Sequence, residues 1–488
     1  HANFQLNQDG DSIFLYTPEL ELVDSVQFGP QSPNTSQGRL LDGSDSLLFF
    51  PDSASPGQAN YLPLQNIVIN ELLAHTDPPL EDAVELLNTG NETVNLSGWF
   101  LSDNPSDPRK FQLPPDTWLD PNQTLVVYQY QFGTPDNEVE APPRFNLSSA
   151  YGESLTLCAA DEAGNLTGHR TSVNFGATAN GVSYGRIPTS TGFDLAPLLY
   201  TTFGQDSPNS LEEFRLGSGL PNSQPLIGPI LISEIFYAPN NTSTNSSEFV
   251  ELWNTSNQPT PLYDPELPEN TWQLTGAIHF QFPPATTIPA NSTLLVLPFN
   301  PETEPDQLAT FLLNHPEAQT ITGPYTGSLN NSGETLELLR PDTPQPATAP
   351  DAGFIPYILV ERVSYSPLPP WPTPTNSTDS LQRIPDATAY ANDPTSWMLT
   401  TTSAGTPPIQ SPQPQPTLQW TEPSPGSIQI QFQTEANTSY SLLYSPDLNS
   451  SPWSKLTDVP AHDSPQTIMI TDNPTTARFY LLVSPAVP

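Results

Sequence analysis

The stretch FQLPPDTWLDPNQTLVV, Phe111 to Val127, returns as FQFPPATTIPANSTLLV, Phe280 to Val296, without a gap. A repeat of this length dictates architecture, because like sequences must fold into like units. Working outward, IVINELL (67–73), AVELLNTG (83–90) and VNLSGWFLSD (94–103) precede the first copy. ILISEIF (230–236), FVELWNTS (249–256) and Trp272 hold the matching places before the second. GESLTL (152–157), SVNFG (172–176) and GVSYGRIP (181–188) follow the first copy; SGETLELL (332–339), VERVSYS (360–366) and SLQRIPD (380–386) follow the second. The downstream set also opens the chain, as FQL (4–6), GDSIFL (10–15), SVQFG (25–29) and TSQGRL (35–40). Short, broadly alternating apolar runs separated by turn residues such as Asp9-Gly10, Pro18 and Gly29 read as strands and hairpins.

Composition narrows the classes. The 61 prolines among 488 residues belong in loops, edges and linkers, which argues against a long helical protein. Leu308, Phe311 and Leu312, in an insertion of the second copy, have helical spacing and predict one short helix. The net charge of -40 repels nucleic acid and anionic lipid, both of which need Lys and Arg partners. No apolar run reaches the roughly 18 residues that span a bilayer, so no membrane insertion is expected. A single cysteine, Cys158, forms no internal disulfide, and its setting in SLTLCAA predicts a packing role. The Ser-, Thr-, Asn- and Pro-rich remainder is typical of secreted proteins.

The ordered set I-x-I-N-E, V-E-L-x-N, L-S-G-W-x-L-S-D, G-E-S-x-x-L and S-x-G-R-x-P resembles the lamin-tail family. That resemblance implies an immunoglobulin-like β-sandwich of a kind common in large secreted bacterial proteins. The expected fold is all-β: tandem immunoglobulin-like sandwiches joined by Pro-rich linkers. Residues 1–60 are read as the C-terminal half of such a sandwich, 65–210 as a whole one, and 228–408 as a whole one with insertions. The last lacks the Ser-Gly after its third strand and the glycine before Arg383. After a Pro/Gln linker, residues 417–488 resemble a fibronectin III-like or immunoglobulin-like module.

The first segment poses a problem. Half a sandwich exposes apolar strands and unpaired edges. Preceding modules, a strand donated by a neighbouring molecule, or packing onto the next module would each resolve it.

Candidate chemistry is sparse. GVSYG (181–185) fits the G-x-S-x-G pattern of serine hydrolases, but Arg186-Ile187-Pro188 opens no helix, and the site is a repeat position. The six histidines are scattered without metal-ligand spacing. Glu71 and Glu85, with Glu234 and Glu251, recur in both copies; the resemblance places them on adjacent strands as hydrogen-bonding groups. Calcium is the one cofactor suggested, through Asp9, Asp11, Asp42, Asp45, Asp103 and Asp107, hard oxygen ligands on turns. The same residues are turn formers, so both readings stand. Sequons at Asn34, Asn91, Asn122, Asn146, Asn241, Asn291, Asn376 and Asn437, and others such as Asn254, are candidate glycosylation sites. Tryptophans in strand patterns predict core packing, with Trp371 in LPPWPTP the exposed exception.

The expectation is a non-enzymatic extracellular protein of the cell surface, a fibre, sheath or adhesin component. Its expected partners are itself or neighbouring modules, and glycans. The alternative is an accessory binding region of a larger secreted hydrolase or nuclease.

Overall fold

The computed structural model describes residues 4–133, 145–205, 207–237, 248–386, 388–401, 404–408, 418–424, 427–434, 439–446, 454–460, 466–474 and 478–483. The chain forms two compact units, His1–Pro408 and Ile409–Pro488.

Within the larger unit, two sandwiches follow one another. In the first, one sheet runs in spatial order Phe111–Gln112, Phe100–Ser102, Glu153–Ala160, Leu166–Phe175, Leu62–Pro63. The facing sheet runs Thr124–Tyr128, Ala83–Asn88, Ile67–Leu73, Tyr184–Thr189, Gly192–Pro197. The second sandwich repeats this order. One sheet carries Ile278–Gln281, Gln273–Gly276, Glu334–Pro341, Tyr357–Tyr365; the other carries Thr293–Val296, Phe249–Asn254, Ile230–Phe236, Asp379–Arg383, Trp397–Thr401. In the first sandwich the repeated FQ-PP stretch contributes an edge strand to each sheet; in the second, Thr326–Gly327 and Ile321–Thr322 add one strand beyond it, and in both copies the paired prolines fall between strands, where no ladder hydrogen bond is lost.

Alternation puts Leu101, Leu155, Leu157 and Phe175 into the first core and Leu274, Leu336, Leu338 and Val363 into the second. Ile67–Leu73 and Ile230–Phe236 are buried along their whole length rather than alternately. A satellite layer explains this. Phe203 and Phe214 cover the outer face of the first sandwich's second sheet. The helix Pro305–Asn314, with Phe311 inward, covers the equivalent face of the second.

The two sandwiches meet directly. Ala177 and Ile358 form an isolated bridge, and Tyr151 stacks on Phe354 with ring centroids 4.3 Å apart. Asp194 accepts from the Tyr390 hydroxyl at 2.5 Å and the Asn392 amide at 2.7 Å, and pairs with Arg362 at 3.5 Å.

Residues 11–50 make two separate hairpins, Asp11–Tyr16 with Leu22–Phe28 and Ser36–Arg39 with Leu47–Phe50. The smaller unit has two three-stranded antiparallel sheets enclosing Phe432, Tyr440 and Val459.

The tryptophan expectation holds at Trp99, Trp272 and Trp397, which are buried, and fails at three other places. Trp371 is buried against Trp397, whereas Trp118 is 58% and Trp420 69% exposed. Trp118 lies in a two-residue strand whose next residue, Leu119, takes the inward position.

Candidate functional site

Two buried carboxylate pairs stand out. Glu71 is opposite Glu85, and Glu234 opposite Glu251, on adjacent strands, all four fully buried. A bulge precedes the first member of each pair, at Asn70 and Ser233. A bulge redirects the extra side chain. Here the Asn70 amide donates to Glu85 Oε1 at 2.6 Å, and the Ser233 hydroxyl donates to Glu251 Oε1 at 2.7 Å. Thr202 donates to Glu71 through its amide (2.9 Å) and hydroxyl, the Ser380 hydroxyl donates to Glu234 at 2.6 Å, and the Gly405 amide donates to Glu251 at 2.6 Å.

Burial pushes Glu85 up to about 8, opposed by Asn70 and reinforced by the charge of Glu71. Burial likewise pushes Glu251 up to about 8, reinforced by Glu234. Glu71 is raised by burial against the hydrogen bonds from Thr202. Near neutral pH each pair therefore holds a proton, which avoids two like charges side by side in an apolar interior. With every carboxyl closed off from solvent, these pairs clasp strands and cannot meet a substrate.

The serine of GVSYG is equally out of reach. Ser183 is buried and the following residues Tyr184–Thr189 form a strand, so no exposed nucleophile results. Cys158 is buried, and desolvation pushes its thiol up to about 11, far from a reactive thiolate.

The acidic turns do not gather. Among the described residues no three His, Cys, Asp or Glu side chains converge as a metal site. Asp103 pairs with Lys110 at 2.5 Å, and Asp45 lies 3.7 Å from Arg39. The Asp42 carboxylate accepts from the Asn60 amide, while Asp9 and Asp11 border the first strand and Asp107 closes a turn with Asn104. Asn34, Asn91, Asn122, Asn146, Asn291 and Asn376 are exposed; Asn241 and Asn437 lie outside the described residues. Asn254 is corrected: it is fully buried, and its amide donates to the Gln258 and Ile288 carbonyls, so it cannot carry a sugar.

One cleft has no counterpart in the sequence patterns. It has a volume of about 870 Å³ and lies between residues 41–61 and the face of the first sandwich. Arg109 and Arg170 line it beside His169, two arginines together in a chain with only 12 Lys and Arg. Arg170 lies 3.8 Å above the Tyr61 ring and donates to Gln58 at 2.9 Å. Since these residues are far apart in sequence, no local pattern announces them.

The other unusual surface is apolar. The hairpin Asp11–Phe28 exposes Phe14, Leu15, Tyr16, Leu22 and Val23. A groove of about 380 Å³, lined by Leu6, Ile13, Val26, Phe28 and Leu47, separates it from the Ser36–Phe50 hairpin.

Among the described residues no helix is long and apolar enough to cross a membrane. No curated protein and no solved structure matches the chain. Residues 63–175, which hold Glu71, Glu85 and most of the first sandwich, match the family model of the lamin tail domain, a non-catalytic immunoglobulin-like fold.

Proposed function

We propose that this protein is a non-enzymatic structural array of an extracellular, cell-surface protein, a component of a fibre, sheath or adhesin. In this reading residues 228–408 are a second lamin-tail module, residues 1–60 the back half of another, and residues 417–488 a fibronectin III-like or immunoglobulin-like module. The array assembles through sandwich contacts or strand exchange.

The supporting observation is the bonded contact between the two like-connected sandwiches. Stacked aromatics and the Asp194 cluster tie them without a long free linker. A tandem fixed in this way transmits force and keeps spacing, which an array on a surface needs. The acidic surface keeps it soluble and attracts divalent cations, calcium first. Electron microscopy of the secreted protein is expected to show elongated, beaded particles on the cell surface. Compact intracellular particles would remove the proposal.

The cleft favours the second reading, an accessory binding region of a larger secreted hydrolase or nuclease. Arg109, Arg170 and Tyr61 suit an anionic sugar. A glycan array should then give a signal that Arg109→Ala lowers.

A further inference from the structure

Three hairpins of the larger unit share one register. Asp11 faces Phe28, Glu153 faces Phe175, and Glu334 faces Tyr365. Each is preceded by a left-handed glycine packed under the opposite carbonyl: Gly10 (φ +117°), Gly152 (φ +66°) and Gly333 (φ +94°). The turns agree too, since Asn7 and Asn330 each accept from the backbone amide two residues on.

A second equivalence joins the next hairpin. The Asn60 amide packs against Gly38 and donates to the Arg39 carbonyl at 3.0 Å. The Asn222 amide packs against Gly185 and donates to the Arg186 carbonyl at 3.0 Å. Residues 4–60 therefore reproduce the back half of the first sandwich down to single side chains.

What covers that back half in the complete sandwich is on view. The Phe100–Ser102 strand pairs with Thr156–Cys158. The Ile67–Leu73 strand pairs with Tyr184 and Gly185, and its bulged Asn70 bonds to Asn222 at 2.8 Å. In the N-terminal copy, among the described residues, Asp11–Tyr16 pairs only with Leu22–Phe28, and Ser36–Arg39 only with Leu47–Phe50. Both edges that should receive these strands are free.

We infer that residues 4–60 are an acceptor for the front half of a lamin-tail-type sandwich, carried by a polypeptide segment other than the two front halves of this chain. One incoming strand, of the I-x-I-N-E kind, lies antiparallel on Gln37 and Gly38 and sets its Asn on Asn60. A second lies on Phe14–Tyr16. Their apolar side chains fill the groove beside Ile13 and Phe28. A second copy of this chain is not the occupant, because both of its front halves are closed over their own cores and tied by the buried Glu71–Glu85 and Glu234–Glu251 pairs.

This rests on the array reading and names what this N-terminal copy would take. The test uses the full chain and a synthetic peptide of residues 65–103, which copies the front strands. Hydrogen exchange at Phe14–Tyr16 and Gln37–Gly38 should slow at least about tenfold on adding the peptide. Leu15→Asp, at a position 59% exposed, should abolish the effect while leaving thermal unfolding of the chain unchanged. Equal protection by a shuffled peptide, or protection arising from dimers of the chain alone, would overturn the assignment. So would a lack of protection at peptide concentrations that saturate no other site. Elongated particles without peptide capture would leave the array reading standing and dismiss this partner alone.

Discussion

The hairpins Asp11–Phe28 and Glu153–Phe175 have one register, one left-handed glycine and opposite surroundings. Ile13 is 36% exposed where Leu155 is 0%, Leu15 is 59% where Leu157 is 0%, and Phe4 is 61% where Phe145 is 3%. Local turn chemistry therefore sets the hairpin geometry, while burial comes from strands far away in sequence. Burying a large apolar side chain contributes about 1.5–3 kcal/mol. With 36–61% of each still exposed, Phe4, Leu6, Ile13 and Leu15 together forgo about half of that full value, roughly 3–6 kcal/mol, a large share of a domain's net stability.

The largest expected effect tests this contrast directly. Leu157→Ala should destabilise the larger unit by about 2–5 kcal/mol, since it leaves a cavity in a closed core. Leu15→Ala should change stability by less than about 0.5 kcal/mol, as at other solvated positions. Denaturant titrations of both variants measure the difference. Equal losses would mean that the N-terminal hairpin is buried in solution and that the contrast is wrong.

Next in size is the glycine pair. A Cβ on Gly152 would lie 2.0 Å from the Phe175 carbonyl oxygen, and one on Gly10 2.8 Å from that of Phe28. Gly152→Ala adds left-handed strain to a clash that a packed core cannot relieve, about 2–4 kcal/mol. Gly10→Ala should cost about 1 kcal/mol, because the open hairpin can shift. Thermal unfolding ranks the two; a larger loss at Gly10 would show that the open copy is the more constrained.

The acidic pairs sharpen the comparison by pH. Glu85 has a folded pKa of about 8 against an ordinary 4.5, so the folded state holds its proton more tightly. The stability gained is complete below about pH 4.5 and is lost as pH rises towards 8. Glu251 behaves alike. The larger unit should be more stable at pH 5 than at pH 8.5 by about 1–3 kcal/mol per pair. Glu85→Gln keeps the acceptor for Asn70 and should flatten that slope. An unchanged slope would assign the dependence to the surface charge instead. The N-terminal hairpins have no such pair, so their exchange rates should lack this pH dependence once intrinsic exchange is corrected for.

What could be read from the chain follows from range. IVINELL and AVELLNTG announce strands, which the family resemblance sets side by side, and GESLTL and SVNFG announce a hairpin, because apolar runs and turn residues are local. Leu308, Phe311 and Leu312 announce their helix for the same reason. The bulges at Asn70 and Ser233 are hidden, since an extra residue is defined only by the partner strand. Phe203 lies near the end of the first module as read from the sequence and Phe214 between the two modules; the burial of both depends on the sheet face they cover. Trp371 reads as exposed because prolines surround it, yet Trp397, distant in sequence, supplies its cover. The cationic cleft joins residues 41–61 to 105–109 and 158–170, a juxtaposition that only the folded chain makes.

The smallest effect belongs to Trp118. It occupies the place of Thr287 in the repeated stretch, in a two-residue strand opposite Asn95, and 58% of it faces solvent. Large aromatic side chains normally dominate core energetics. Here alternation gives the inward position to Leu119, which is 3% exposed. Trp118→Ala should therefore shift stability by no more than about 0.5 kcal/mol, whereas Leu119→Ala should cost about 2 kcal/mol or more. Fluorescence quenching by acrylamide gives an independent check, since removing Trp118 should take away an accessible emitter. A large loss of stability in Trp118→Ala would mean that another surface covers this edge, and the rule that inward and outward places are set by the pleat would not hold for this strand.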